Sequence, residues 1–130
     1  MIPFELDDHY PHTWFIDIDG TIIRHKGNDL ISKDEFLSRD EVLPGVKEFW
    51  ENIPKDDVII LVTARPEDYR DQTLALLTAH DLRYDQAIFN LPRGQRILVN
   101  DARPTGLKTA IAWNVIRDQG FLEDYFNLLN

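Results

Sequence analysis

Short apolar runs recur along the chain, and charged or Gly/Pro-bearing segments separate them. Trp14-Phe15-Ile16 lies in the first and predicts a buried strand over 13–18. Val58-Ile59-Ile60-Leu61-Val62 is continuously apolar with turn signals before it, the pattern of a strand buried on both faces of a parallel sheet. Ala87-Ile88-Phe89 predicts a third strand, Arg96-Ile97-Leu98-Val99 a fourth and Ala110-Ile111-Ala112-Trp113 a fifth. Between the first two, Val46, Phe49, Trp50 and Ile53 fall at i, i+3, i+4 and i+7, which predicts a helix over 44–53 stopped by Pro54. That aromatic stripe reads as core, not as a ligand cage. Pro66 suits the first turn of a helix over 66–80, rich in Leu74, Leu76 and Leu77. Phe121, Leu122, Tyr125, Phe126, Leu128 and Leu129 predict a C-terminal helix over 118–130 docked by its apolar face.

Strands alternating with helices imply an α/β, Rossmann-like three-layer fold, with a mostly parallel central sheet covered on both faces. With 130 residues the chain suits one domain. One link resists this scheme. Six residues, 91–96, join the third and fourth strands, whereas a parallel crossover needs a dozen or more. Either the third strand is vestigial or the link runs extended without a helix.

Residues 24–43 are too polar for a core layer and read as a flap beside the end of the first strand, a usual place for specificity. Arg24, His25 and Lys26 open it. They can meet an anionic substrate or simply form a solvated loop. Near the N-terminus, His9 and His12 are three apart, but Pro11 argues against the helix that would make them metal ligands, so both read as solvated loop residues.

Composition narrows the function classes. A net charge of -9 repels phosphate backbones and disfavours broad nucleic-acid binding. The absence of cysteine excludes disulfides and thiolate metal sites. Neither a transmembrane run nor the basic-then-apolar start of a signal peptide is present, so a cytoplasmic protein without a membrane partner is expected.

The chemistry lies at strand ends. Asp17 and Asp19 follow the first apolar run and, at period 2, point to the same side. Two such acids are costly unless chemistry or a cation compensates them. Gly20 lets the backbone turn tightly. Thr63 follows the second strand and Asp101 the fourth. If these ends converge, their hard oxygens suit Mg²⁺, with Thr63 and nearby backbone N–H groups holding phosphate oxygens.

These motifs resemble those of the haloacid dehalogenase-like hydrolases, mostly Mg²⁺-dependent phosphatases. The likeness spans roughly 14–115. The first motif stands as Asp17-Ile18-Asp19-Gly20-Thr21, the second as Thr63 in Leu61-Val62-Thr63-Ala64-Arg65, and the fourth as Asn100-Asp101, where many members carry Gly or Asp in place of Asn100. The resemblance implies that Asp17 attacks phosphorus, that Asp19 protonates the leaving alcohol and later activates water, and that Thr63 binds the phosphoryl group. It implies Mg²⁺ on the Asp17 carboxylate, the Asp19 carbonyl and Asp101. The basic third motif falls on Arg93 or Arg96. Arg93 is preferred, because Arg96 would begin the fourth strand, ~13 Å from its catalytic end. No segment is long enough for a sizeable cap domain, and 22–43 serves as a small insertion in a single domain over 1–130. A small phosphorylated metabolite such as a sugar phosphate is the substrate expected by analogy. The alternatives are a nucleotidase or nucleic-acid-end phosphatase, and a non-catalytic Mg²⁺-binding module of the same fold. Oligomeric state is not legible.

Overall fold

A computed structural model describes residues 2–27 and 31–122. Three strands form a parallel sheet: β1 (Thr13–Asp17), β2 (Val58–Val62) and β3 (Gln86–Ile88), in the order β1-β2-β3. The helices are α1 (Lys33–Ser38), α2 (Val46–Asn52) and α3 (Arg70–Ala79), the last entered through a 3₁₀ turn over Glu67–Tyr69. The chain is therefore α/β. Among the described residues no helix is long and apolar enough to cross a membrane.

Register follows the apolar pattern. Trp14 lies opposite Ile59 and Ile16 opposite Leu61, so alternate residues of β1 and β2 face the same way. Ile16, Ile59 and Leu61 are buried with Val46, Phe49 and Trp50 of α2 and Leu77 of α3 in one core. Phe49 is the hub. Its ring stacks on Phe121 at 4.3 Å and meets Trp14, Trp50 and Trp113 edge-on at 5.5–5.7 Å. The opposite face of the sheet stays partly open, with Phe15 52 % and Ile88 43 % exposed.

Chain closure depends on one close approach. Gly120 has φ +71°, and a Cβ there would lie 2.0 Å from the Pro44 carbonyl oxygen. The neighbouring Phe121 N–H donates to that oxygen at 2.9 Å. Only a residue without a side chain allows the two backbones to meet so closely.

Two expected strands do not form. Residues 96–99 take no strand conformation, and Ile97 and Val99 are 83 % and 89 % exposed. The physical reason is the short link: six residues cannot carry the chain back to the start of a parallel neighbour. The difficulty over 91–96 thereby disappears, because no crossover is made. Residues 110–113 also form no strand. Trp113 instead packs against Phe4, Phe49 and Phe121, while Ile111 is half exposed. Of the expected C-terminal helix, 118–122 are turn and irregular chain, and 123–130 lie outside the described residues.

The segment 22–43 also differs from a plain polar flap. Ile22, Ile23 and Leu43 are core residues at its two ends. Leu43 N–H donates to Ile22 O at 2.9 Å and Arg24 N–H to Glu41 O at 2.9 Å, which closes the insertion at its base. Within it, α1 is capped by Ser32, whose side chain accepts from Glu35 N–H at 3.1 Å.

Candidate active site

The site grows from the ends of β1 and β2. Asp17 pairs with Val62 in register, and Thr63 is the next residue along. Neighbouring strands lie about 4.8 Å apart, so the backbones of Asp17 and Thr63 lie close together at the carboxyl end of the sheet. After Asp17 the chain turns sharply. The Ile18 carbonyl accepts from the N–H groups of Thr21, Ile22 and Ile23 at 2.9–3.2 Å, and Gly20 takes φ +86°. The N–H of Gly20 is itself spent on Ile23 O at 2.7 Å. The amides of Gly20 and Thr21 are thus engaged within the turn.

Asp17 is held at both oxygens. Thr21 Oγ1 donates to Oδ2 at 3.1 Å, and Arg96 Nη1 donates to Oδ1 at 3.0 Å. The basic residue on Asp17 is therefore Arg96, not Arg93. Arg93 is exposed and makes no hydrogen bond or ion pair among the described residues. The preference for Arg93 rested on a fourth strand fixing Arg96 far from the acids. Without that strand, Arg96 lies on irregular chain and its long side chain reaches back.

Thr63 is 1 % exposed and fixed on both sides of its peptide unit: its N–H donates to Ile88 O at 3.0 Å and its carbonyl accepts from Leu91 N–H at 3.1 Å. Its hydroxyl oxygen accepts from Arg65 N–H at 3.0 Å, leaving the O–H as a donor.

Asp19 meets a residue that the apolar pattern did not single out. Arg65 Nε and Nη2 fork onto its two oxygens at 3.1 and 2.9 Å. The same guanidinium forks onto Asp40 at 3.0 and 2.8 Å and gives a further bond to Thr73 Oγ1 at 2.8 Å. Arg65 is 3 % exposed. Burial works to lower its pKa, but the two carboxylates outweigh it and hold the guanidinium protonated more firmly than usual. Lys26 Nζ binds Asp40 and lies 3.9 Å from Asp19 Oδ1. One cue to this cluster was present in the sequence: Arg65 follows a strand-end threonine by two residues.

No family model, curated protein or solved structure matches this chain.

Asp101 is exposed, and its carbonyl accepts from Thr109 Oγ1 within a loop that Asn100 also ties to Thr109, at 3.0 and 2.9 Å. Among the described residues the group of three acids or histidines close enough to share an ion is Asp7, Asp8 and His9. Asp17, Asp19 and Asp101 form no such group. The expected fourth strand does not form, so Asp101 is not carried on a strand end beside β1 and β2, and the three carboxylates do not gather as one ligand group.

At the opposite end of the strands, His12 corrects another expectation. It is no solvated loop residue. Its backbone N–H and Nδ1 bind Asp57 at 2.9 and 2.8 Å, and Trp14 Nε1 donates to the same carboxylate at 2.9 Å. Partial burial works to lower the His12 pKa, but the Asp7 carbonyl and the Asp57 carboxylate outweigh it and raise it. Burial likewise works to raise the Asp57 pKa, and the bonds from Trp14 and His12 outweigh it and lower it.

Proposed function

We propose that this chain is a phosphomonoesterase that works through an aspartyl-phosphate. The observation that carries the reading is the Asp17 carboxylate at a strand end, beside Thr63 on the adjacent parallel strand, with the Arg96 guanidinium on it at 3.0 Å. A nucleophilic carboxylate, the Thr21 hydroxyl that donates to it and a cation lie together there.

In the reaction an Asp17 oxygen attacks phosphorus and the bond from phosphorus to the ester oxygen breaks. Asp19 draws a proton from solvent as substrate binds and gives it to the departing alkoxide. Water then attacks the acyl phosphate, Asp19 takes the proton, and inorganic phosphate leaves. Arg96 exchanges its contact with Asp17 for a phosphoryl oxygen as substrate binds, and Thr63 donates its O–H to another. Arg65 occupies one side of the Asp19 carboxylate, which offers about four lone-pair positions and so keeps room for a proton.

Mg²⁺ belongs to this reading through the resemblance, and no step above is routed through it. The same reading takes a small phosphorylated metabolite such as a sugar phosphate as substrate, a cytoplasmic setting, and a three-layer Rossmann-like arrangement in which the open sheet face is covered. The net charge of -9 disfavours nucleic-acid substrates.

The test is phosphate release from p-nitrophenyl phosphate, with Mg²⁺ supplied or removed by chelation. Asp17→Asn is expected to abolish release and leave the melting curve near that of the parent. Turnover retained in Asp17→Asn overturns the nucleophile. Turnover unaffected by chelation removes the metal from the reading.

A further inference from the structure

The reaction above gives no part to Arg65, although it is the most completely paired charge near the acids. Five hydrogen bonds leave its guanidinium: two to Asp19, two to Asp40 and one to Thr73. Asp19 belongs to the turn after β1. Asp40 belongs to the 22–43 insertion, just beyond α1, and its side chain is 5 % exposed. Thr73 lies in α3 and is fully buried. One planar group thus joins three separate parts of the fold.

The insertion adds two more contacts at the same place. Lys26 binds Asp40, and its Nζ sits 4.2 Å from the centre of the Phe36 ring. The Arg65 guanidinium lies 5.0 Å from the centre of that ring. Phe36 is the aromatic residue of α1, so the helix is held to the site by cation–π contact as well as by charge. Two cations and two carboxylates balance one another here. A buried ionic cluster adds little net stability over an apolar one of the same shape, because desolvation offsets most of the attraction. Stability alone therefore gives little reason for the arrangement. Geometry gives a better one, since a rigid fork fixes the direction of a carboxylate in a way that a point charge cannot.

We infer that Arg65 is a positioning residue that orients the Asp19 carboxylate and, with its other edge, latches the 22–43 insertion through Asp40. What Asp19 does when aimed rests on the phosphatase reading; the latch does not.

Three variants test this: Arg65→Lys keeps the charge and loses the fork, Asp40→Asn loosens the latch without touching Asp19, and Arg65→Ala opens space for free guanidinium. Each is measured for p-nitrophenyl phosphate turnover, for hydrogen exchange across 31–43, and for melting to establish that it is folded. In Arg65→Lys, kcat is expected to fall roughly tenfold or more while KM stays within about threefold, the pattern of a misaimed group rather than a lost binding contact. In Asp40→Asn, kcat is expected to stay within about threefold, while exchange across 31–43 quickens as it does in Arg65→Lys. Millimolar guanidinium is expected to restore turnover in Arg65→Ala without raising its melting temperature, which repair of a merely structural gap would raise. Unchanged kcat in Arg65→Lys overturns the positioning role, and unchanged exchange in both Arg65→Lys and Asp40→Asn overturns the latch. If the parent chain releases no phosphate, the phosphatase reading falls. The exchange comparison then decides the latch alone: faster exchange in both variants supports it, and parent-like exchange overturns it.

Discussion

Asp57→Ala is the sharpest test of how this fold is held together. The Asp57 side chain is 1 % exposed and receives three bonds at 2.8–2.9 Å, from His12 N–H, His12 Nδ1 and Trp14 Nε1. It ties the residue before β1 to the residue before β2, so it sets where the two strands begin. Truncation removes the acceptor and leaves the backbone N–H of His12 and the indole N–H of Trp14 without a partner. A buried unsatisfied donor costs about 1–3 kcal/mol, so two cost roughly 2–6 kcal/mol. The His12 side chain is 24 % exposed, so water reaches that end and eases part of the loss. The expected destabilisation is about 3–4 kcal/mol, a large share of the roughly 5–15 kcal/mol that holds a typical domain. For a chain of this size it lowers Tm by roughly 10–20 °C.

The pH dependence sharpens the test. His12 is raised above its ordinary 6.5, so its contribution is complete below that value and fades as pH rises through the raised one. Asp57 is lowered below its ordinary 3.8, so its contribution is present above that value and is lost as pH falls through the lowered one. The pair acts at full strength between these ordinary values, in mildly acidic solution. Thermal melts followed by circular dichroism from pH 5 to 8.5 should show the parent losing stability above neutrality. Asp57→Ala should show a flatter profile from a lower start. Asp57→Asn keeps one acceptor oxygen but turns an N–H₂ toward a donor, and should fall between the two. A Tm for Asp57→Ala within about 2 °C of the parent, where the scale above asks for far more, would refute the reasoning.

Further outcomes follow from other contacts. Arg96→Gln should lower kcat/KM for p-nitrophenyl phosphate by roughly tenfold or more, whereas Arg93→Gln should stay within about twofold; the reverse order would return the role to Arg93. Gly120→Ala places a Cβ 2.0 Å from Pro44 O at φ +71° and should cost at least about 3 kcal/mol in a denaturant melt. A change below about 0.5 kcal/mol there would mean that the two backbones can part freely.

Much of the sheet was legible because its signals are local. The run 58–62 is apolar throughout and is β2 to the residue. The spacing of Val46, Phe49 and Trp50 placed α2, and all three are buried. Pro66 marked the entry to α3. That Asp17 and Thr63 share the carboxyl end of the sheet followed from two parallel strands ending together. What was not legible depends on distant charge pairing. Nothing in the residues around Asp40 announces a bond to Arg65, 25 positions later, and no periodicity marks Asp57 as the partner of His12. Arg96 departs from its expected place because the apolar triplet after it, Ile97-Leu98-Val99, has the pattern of a strand but joins no sheet. A strand also needs a partner within reach, and the link was too short to deliver one.

The two arginines that grip the acids differ in their access to water. The Arg96 side chain is 41 % exposed and that of Arg65 is 1 %. Mobile ions screen exposed charges over about 8 Å at physiological ionic strength and reach enclosed ones far less. Added salt therefore separates the two: it weakens the hold on Asp17 and leaves the hold on Asp19 almost untouched. Asp17 is the member of the pair that answers to its surroundings.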